Sequence, residues 1–321
     1  MKPVSAIDSI EAQIDSHQKA VELLSRLPKN HPQLNTWHSW SQDVFAQNDW
    51  LPVLQKAMTI AYARMTVRNG SLSPNPRAYH NEYHINDLLS RVLHCAKYDN
   101  NQINPEGLAL LCFFAATHDL RQAEPPKSAD DESLVGANEM ASYQEAQRIT
   151  ELVPSEQLWT AHNMLLLKTM IEGSTFGSGG KRSKYFFQGN LAMHLLSAQN
   201  LLVSRDEQLV LLACDIDTAN VSLPIAQFAS SGIHIYNELI THQQATISAW
   251  QFFSEQQKIY FFEQQAYHAE ISKTLFQPKK DANAKQLLAL CHAIEKLPQN
   301  TPAETIKEKF INHAKSLGES A

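Results

Sequence analysis

Apolar residues recur at helical intervals along almost the whole chain. Ile7, Ile10, Ile14, Val21, Leu23 and Leu24 mark a helix over about residues 5–27, and Pro28 to Pro32 ends it. Leu34 to Arg68 carries Trp37, Trp40, Trp50, Leu51, Val53, Leu54 and Met58, and closes on the turn-rich Asn69-Gly70-Ser71-Leu72-Ser73-Pro74-Asn75-Pro76. A helix restarts past Pro76 and runs from Tyr79 to about Tyr98 on the stripe Ile85, Leu88, Leu89 and Val92. From Pro105 to His118 the run Leu108 to Ala116 is apolar all round, which predicts a central, buried helix. Residues 120–133 are polar and read as a surface loop. Further helices follow over Leu134–Leu152, Pro154–Glu172, Leu201–Val221, Ile225–Thr241, Ala249–Leu275 and Ala282–Leu297. The glutamine-rich stretch Gln251 to Gln265 alternates with aromatics at helical spacing and reads as a packed amphipathic face. The expectation is an all-α protein.

Composition narrows this picture. With 321 residues, 43% of them hydrophobic, and only 10 glycines and 14 prolines, the chain supports a sizeable core and has few of the tight turns that many short strands need. Lys plus Arg is 27 against 33 for Asp plus Glu, a net charge of -6, so no basic excess supports a nucleic-acid role. Cys95, Cys112, Cys214 and Cys291 lie far apart without CxxC spacing and read as buried thiols in a reducing compartment. Polar residues follow Met1-Lys2-Pro3, and no apolar stretch reaches the roughly 20 residues that span a bilayer. A cytoplasmic enzyme without membrane partners is expected.

The chemistry concentrates in three places. In Arg77-Ala78-Tyr79-His80-Asn81-Glu82-Tyr83-His84-Ile85 two histidines four apart would share one helix face. Such a pair also arises by chance among 14 histidines. The buried helix ends in His118-Asp119, and burying that carboxylate without a cation, donors or solvent would cost several kcal/mol. A metal is one answer; a solvated cap is the other. A third apolar run carries Asp215-Ile216-Asp217, whose acids stand about 200° apart on a helix. Asp217 shares its stripe with Val210, Cys214 and Val221 and is the better candidate for a metal-held carboxylate, with Asp215 orienting a ligand histidine or pairing with a helix cation. The glycine-rich segment Gly173 to Arg182 is not a Walker A loop, since six residues separate Gly173 from Gly180 and Arg182 follows the lysine. It is a flexible connector or a place where Lys181 and Arg182 touch phosphate.

In combination, Tyr79-His80-Asn81-x-x-His84, His118-Asp119 and Asp217 resemble the HD-domain metal-dependent phosphohydrolases, including the cyclic-nucleotide phosphodiesterases. The closest likeness is to the bacterial branch of predicted HD phosphohydrolases. Its RxYHNxxHI motif reads as Arg77 to Ile85, its Asn-Glu-x-x-Ser segment as Asn138, Glu139 and Ser142, and its DAD-type segment as Asp215 to Asp217. The resemblance covers roughly residues 35–290.

That resemblance implies an HD-type, phosphodiesterase-like helical bundle over 35–297, with an N-terminal helical extension over 1–34 and a C-terminal helical tail over 298–321. It implies His84, His118, Asp119 and Asp217 as ligands of the tighter metal, and Asp119 as a bridge to a second. The set suits Zn, Mn or Fe, and a mostly hydrated neighbour suits Mg or Mn. His80 becomes the proton donor to the leaving oxygen and Glu139 a neighbouring acid, with Tyr79, Asn81, Asp215, Lys181 and Arg182 as supporting or substrate-binding residues. The implied partner is a small-molecule phosphate ester or nucleotide, a cyclic nucleotide first. Gln264 or Gln265 with Tyr267 would stand where a late-helix glutamine and aromatic orient a purine.

Departures are visible. Leu120-Arg121-Gln122 lacks the acidic pair of the stringent-response hydrolases, Asn220 lacks a following proline, and Thr169-Met170-Ile171-Glu172 ends without the histidine of a Thr-x-x-His. These leave two other readings, an HD module that binds a nucleotide without turning it over and a helical interaction protein.

Overall fold

Asn104 opens the most apolar helix of the chain by accepting a hydrogen bond from the Gly107 backbone N–H at 3.0 Å, with Pro105 in the first turn. From Gly107 to Thr117 every residue is buried. Removing each large side chain in that run from water contributes roughly 1.5–3 kcal/mol. This helix, Pro105–Thr117, is the hub of its surroundings. The computed structural model describes residues 6–28, 31, 34–98, 103–125, 133–177, 189–201, 204–243 and 245–319. Among them the regular structure is helical, with fifteen α-helices and no strand beyond an isolated bridge between Phe176 and Asn190. The all-α expectation holds. No helix of the described residues is long and apolar enough to cross a membrane.

Two compact units divide the chain. The first comprises Met1–Pro76, His80–Phe176 and Asn190–Ile216; the second comprises Arg77–Tyr79, Gly177–Gly189 and Asp217–Ala321. In the first, α1 (Ser9–Gln13) and α2 (His17–Leu24) pack on α4 (Leu51–Arg68), as does α3 (Asn35–Phe45). Helix α6 (Pro105–Thr117) packs against α4, α5 (Glu82–Tyr98), α7 (Ala137–Leu152) and α8 (Ala161–Gly173). Helix α9 (Ala192–Ala198) lies on α8, and α10 (Ser204–Asp217) runs to the edge of the unit. In the second unit α11 (Ile225–His242) and α14 (Gln277–Glu295) both pack on α15 (Ala303–Glu319). Phe253 and Phe310 meet there with ring centroids 4.8 Å apart. Between α11 and α14 come α12 (Ala249–Gln251) and α13 (Glu270–Leu275).

Several predicted helices are interrupted, each where a backbone carbonyl is claimed by a side chain. The single helix expected over 5–27 is two, because Arg64 donates from Nε and Nη2 to the Ile14 carbonyl at 3.2 and 2.9 Å and Ser16 caps a fresh start. The helix expected to reach Val221 stops at Asp217, where Arg91 donates to the Ile216 carbonyl at 2.7 Å, and a 3-10 turn over Ala219–Ser222 follows. Ala249–Leu275 is not continuous either. It contains π-helical segments at Phe252–Gln256 and Ile259–Gln264 and breaks at Gln265, whose carbonyl accepts from Lys280 Nζ at 2.6 Å. Phe252, Phe253 and Phe261 of this glutamine-rich stretch are buried, as a packed face requires. Leu34–Arg68 is split at residues 46–50, and α9 has no counterpart in the hydrophobic pattern.

Candidate metal centre

His84 sits in the first turn of α5, His118 caps the end of α6, and Asp119 follows it. Asp217 is the last residue of α10, carried there by a helix whose first thirteen residues belong to the first unit. One ligand atom from each of these four residues lies within 4.8 Å of the others. His118 Nε2 is 2.9 Å and His84 Nε2 is 3.5 Å from Asp119 Oδ2. Ligands about 2.1 Å from a common cation are separated by about 3.0 Å on an octahedral edge and about 3.4 Å on a tetrahedral one. The two histidine-to-Asp119 separations fall close to those edges. Two imidazoles and two carboxylates form a mixed nitrogen and oxygen donor set of the kind that holds a divalent transition metal. His84, His118 and Asp119 are 3%, 2% and 8% exposed, so a cation would sit at low dielectric, where opposite charges attract most strongly.

His80 is placed differently from the sequence expectation. Helix α5 begins at Glu82, so His80 precedes it and does not share a helical face with His84. The reason is Asn81, whose Oδ1 accepts from the Tyr83 N–H at 2.9 Å and turns the chain into the helix. The rings of His80 and His84 still meet, with centroids 5.9 Å apart and planes at 81°. His80 Nε2 is 3.9 Å from Asp119 Oδ2, and its side chain is 27% exposed against 2% for His84. It therefore stands at the open side of the cluster.

The neighbours of the cluster give the other motif residues local roles. Asn138 Oδ1 accepts from the Glu124 N–H at 3.1 Å, and Ser142 Oγ accepts from the Arg121 N–H at 3.0 Å. Helix α7 thereby holds the segment that follows Asp119. Glu139, in the first turn of α7, folds its carboxylate across Gly136, where a β-carbon would collide with it. Tyr79 donates its N–H to Glu238 Oε2 at 2.9 Å, and Arg77 donates to Glu238 Oε1 at 3.0 Å. Asp215 is fully buried and is not among the four grouped residues. Gln265 Nε2 donates to Thr218 Oγ1 at 3.4 Å, and the Tyr267 hydroxyl bonds Ser222 at 2.6 Å. Lys181 and Arg182 lie outside the described residues.

Two further residues escaped the sequence reading. Arg91, two turns along α5 from His84, fixes the end of α10 through the Ile216 carbonyl and so sets where Asp217 stands. Gln122 donates from Nε2 to Asp119 Oδ1 at 2.6 Å. The i+3 spacing of Gln122 from Asp119 was a usable signal; Arg91 had none, because its partner is 125 residues away. Replacing Gln122 with leucine is expected to weaken metal retention by about 10–100-fold, the scale on which an outer partner of a ligand matters. Competition with a chromogenic chelator measures this without any assay of turnover, and unchanged retention would remove Gln122 from the site. No family model matches this chain, and neither the curated proteins nor the solved structures compared with it contain a match.

Proposed function

We propose that this protein is a metal-dependent phosphohydrolase of the HD superfamily, cleaving a phosphodiester or phosphomonoester of a nucleotide-like small molecule, with a cyclic nucleotide as the first substrate to try. The observation that carries the reading is the convergence of His84, His118, Asp119 and Asp217 with a partly exposed His80 at their open side. His84, His118, Asp119 and Asp217 would hold a divalent cation, which when bound would supply Lewis acidity toward phosphoryl oxygens and toward an attacking water.

The chain's own residues do the rest. His84 and His118 present Nε2 toward Asp119 Oδ2, and Gln122 holds the other carboxylate oxygen, so the carboxylate cannot rotate freely. Behind His118 the ring of Phe114 lies 4.8 Å away between centroids and keeps water from that side. His80 is near enough to the cluster to meet a bound phosphate and exposed enough to exchange protons with solvent. When protonated it donates to the departing oxygen, which would otherwise leave as an alkoxide.

His80→Ala is expected to retain metal and to lower turnover of bis-p-nitrophenyl phosphate in Mn²⁺ by roughly 10²–10⁴-fold, the usual scale of a general acid. Turnover at the wild-type rate would refute the role of His80. Wild-type protein that holds metal and a nucleotide yet releases no product over hours would replace the enzyme reading with a binding module.

A further inference from the structure

A cleft among α2, α3 and α4 in the first unit is left unused by the metal centre. Its volume is about 500 Å³, and none of the candidate metal ligands lines it. Small-molecule sites typically occupy about 300–1,000 Å³. Val21, Leu24 and Leu34 supply apolar wall, and Val21 is 48% exposed, an apolar side chain left open to solvent.

The charged lining has one sign. Among the described residues its titratable groups are His17 from α2, His38 from α3, and Lys56 and Tyr62 from α4, and none of them is a carboxylate. The acids on the flank of α2 are engaged with their own neighbours, Asp15 with Lys19 at 2.7 Å and Glu22 with Arg26 at 3.9 Å. Tyr62 is kept protonated by burial, and its hydroxyl accepts from Asn86 Nδ2 at 2.9 Å. Burial holds the His17 imidazole below the ordinary histidine range, and the Lys56 ammonium adds to the effect. His38 is held down by burial and then by His17. The ring of Trp37 stands edge-on to His38, with centroids 5.1 Å apart. Three nitrogen groups thus line one cleft with an apolar wall, and among the described residues no carboxylate lines it with them. An entering anion would favour the protonated imidazoles and form charge-assisted hydrogen bonds with them and with Lys56.

We propose that this cleft binds an amphiphilic anion, a carboxylate on an aliphatic body, with its head among His17, His38 and Lys56 and its tail along Leu24 and Leu34. The proposal is independent of the metal centre.

The test is a titration of the full chain with sodium octanoate, read by NMR of the His17 and His38 imidazoles, assigned with His17→Gln and His38→Gln. Inorganic phosphate supplies a head without a tail, and 1-octanol a tail without a head. Octanoate is expected to shift both imidazoles saturably and to raise their titration midpoints, and to bind more tightly than either control. Lys56→Met, at an exposed position, is expected to keep the wild-type melting temperature and to weaken octanoate about tenfold, the loss of one charge-assisted hydrogen bond. Absence of saturable shifts overturns the site. So does octanol binding as tightly as octanoate, phosphate binding as tightly as octanoate, or unchanged octanoate affinity in Lys56→Met.

Discussion

Replacing Asp217 with alanine is expected to strip the protein of tightly held metal, while Asp215→Asn leaves it in place. The two acids are separated by one residue, yet only Asp217 brings an oxygen within 4.8 Å of the His84, His118 and Asp119 ligand atoms. Asp215 is fully buried on the same helix, and the asparagine keeps its shape and most of its hydrogen-bonding capacity. Loss of a direct ligand should exceed the roughly 10–100-fold in affinity that an outer partner is worth. Asp119→Ala should be at least as severe, since both histidine Nε2 atoms face its Oδ2. Elemental analysis of untagged wild type and the variants measures this directly, with bis-p-nitrophenyl phosphate turnover in Mn²⁺ on the same samples. Metal lost equally from Asp215→Asn and Asp217→Ala would mean that the helix end, not the Asp217 oxygen, is what matters. Wild type without metal, and without turnover when Mn²⁺ is added, would end the hydrolase reading.

Of the four grouped residues, three stood out in the sequence because burial makes a polar residue conspicuous, and His84 was named through the motif resemblance. His118 and Asp119 close the most apolar run of the chain, and Asp217 interrupts another. Helical angle alone separated Asp217 from Asp215, and the grouping agrees with that separation. What the pattern could not reveal were the ends of helices, because these are set by partners far away in sequence. Asp217 is terminal because Arg91 takes the carbonyl before it, and α1 is distinct from α2 because Arg64 takes the carbonyl of Ile14. His80 was misplaced onto a helix for a local reason. Asn81 was read as part of a motif, although its side chain does what asparagine does best just ahead of a helix. Glu238, which holds Arg77 and Tyr79, lies about 160 residues from them, beyond the reach of any periodicity.

Arg64→Met is expected to destabilise the protein by about 3–5 kcal/mol, the cost of removing one partner from a buried ion pair. The guanidinium is 2% exposed and lies 3.3 Å from both Glu11 Oε2 and Glu145 Oε1, whose side chains are 2% and 0% exposed. It also donates to the Ile14 carbonyl between α1 and α2. Arg68, Arg121 and Arg148 reach the same two carboxylates, so methionine would leave two buried acids with their most enclosed cation gone. The loss should depend on pH in a defined direction. Burial pushes the Glu145 carboxyl above its usual range; Arg68 and Arg64 oppose that shift, and Glu11 and Asp8 add to it. Without Arg64 the shift must grow. A carboxyl whose pKa is higher folded than unfolded favours the native state fully below its unfolded value, and that contribution is lost as pH rises through the folded value. The deficit of Arg64→Met relative to wild type should therefore be larger at about pH 8 than at about pH 5, where Glu145 can take up a proton instead of remaining a buried anion. Urea unfolding at the two pH values measures it. A deficit below about 1 kcal/mol, or one that does not narrow on acidification, would mean that Arg68, Arg121 and Arg148 suffice to balance both carboxylates. The same network includes Arg121, two residues past Asp119, so the stability of the first unit and the placement of its candidate ligand rest on one set of charges.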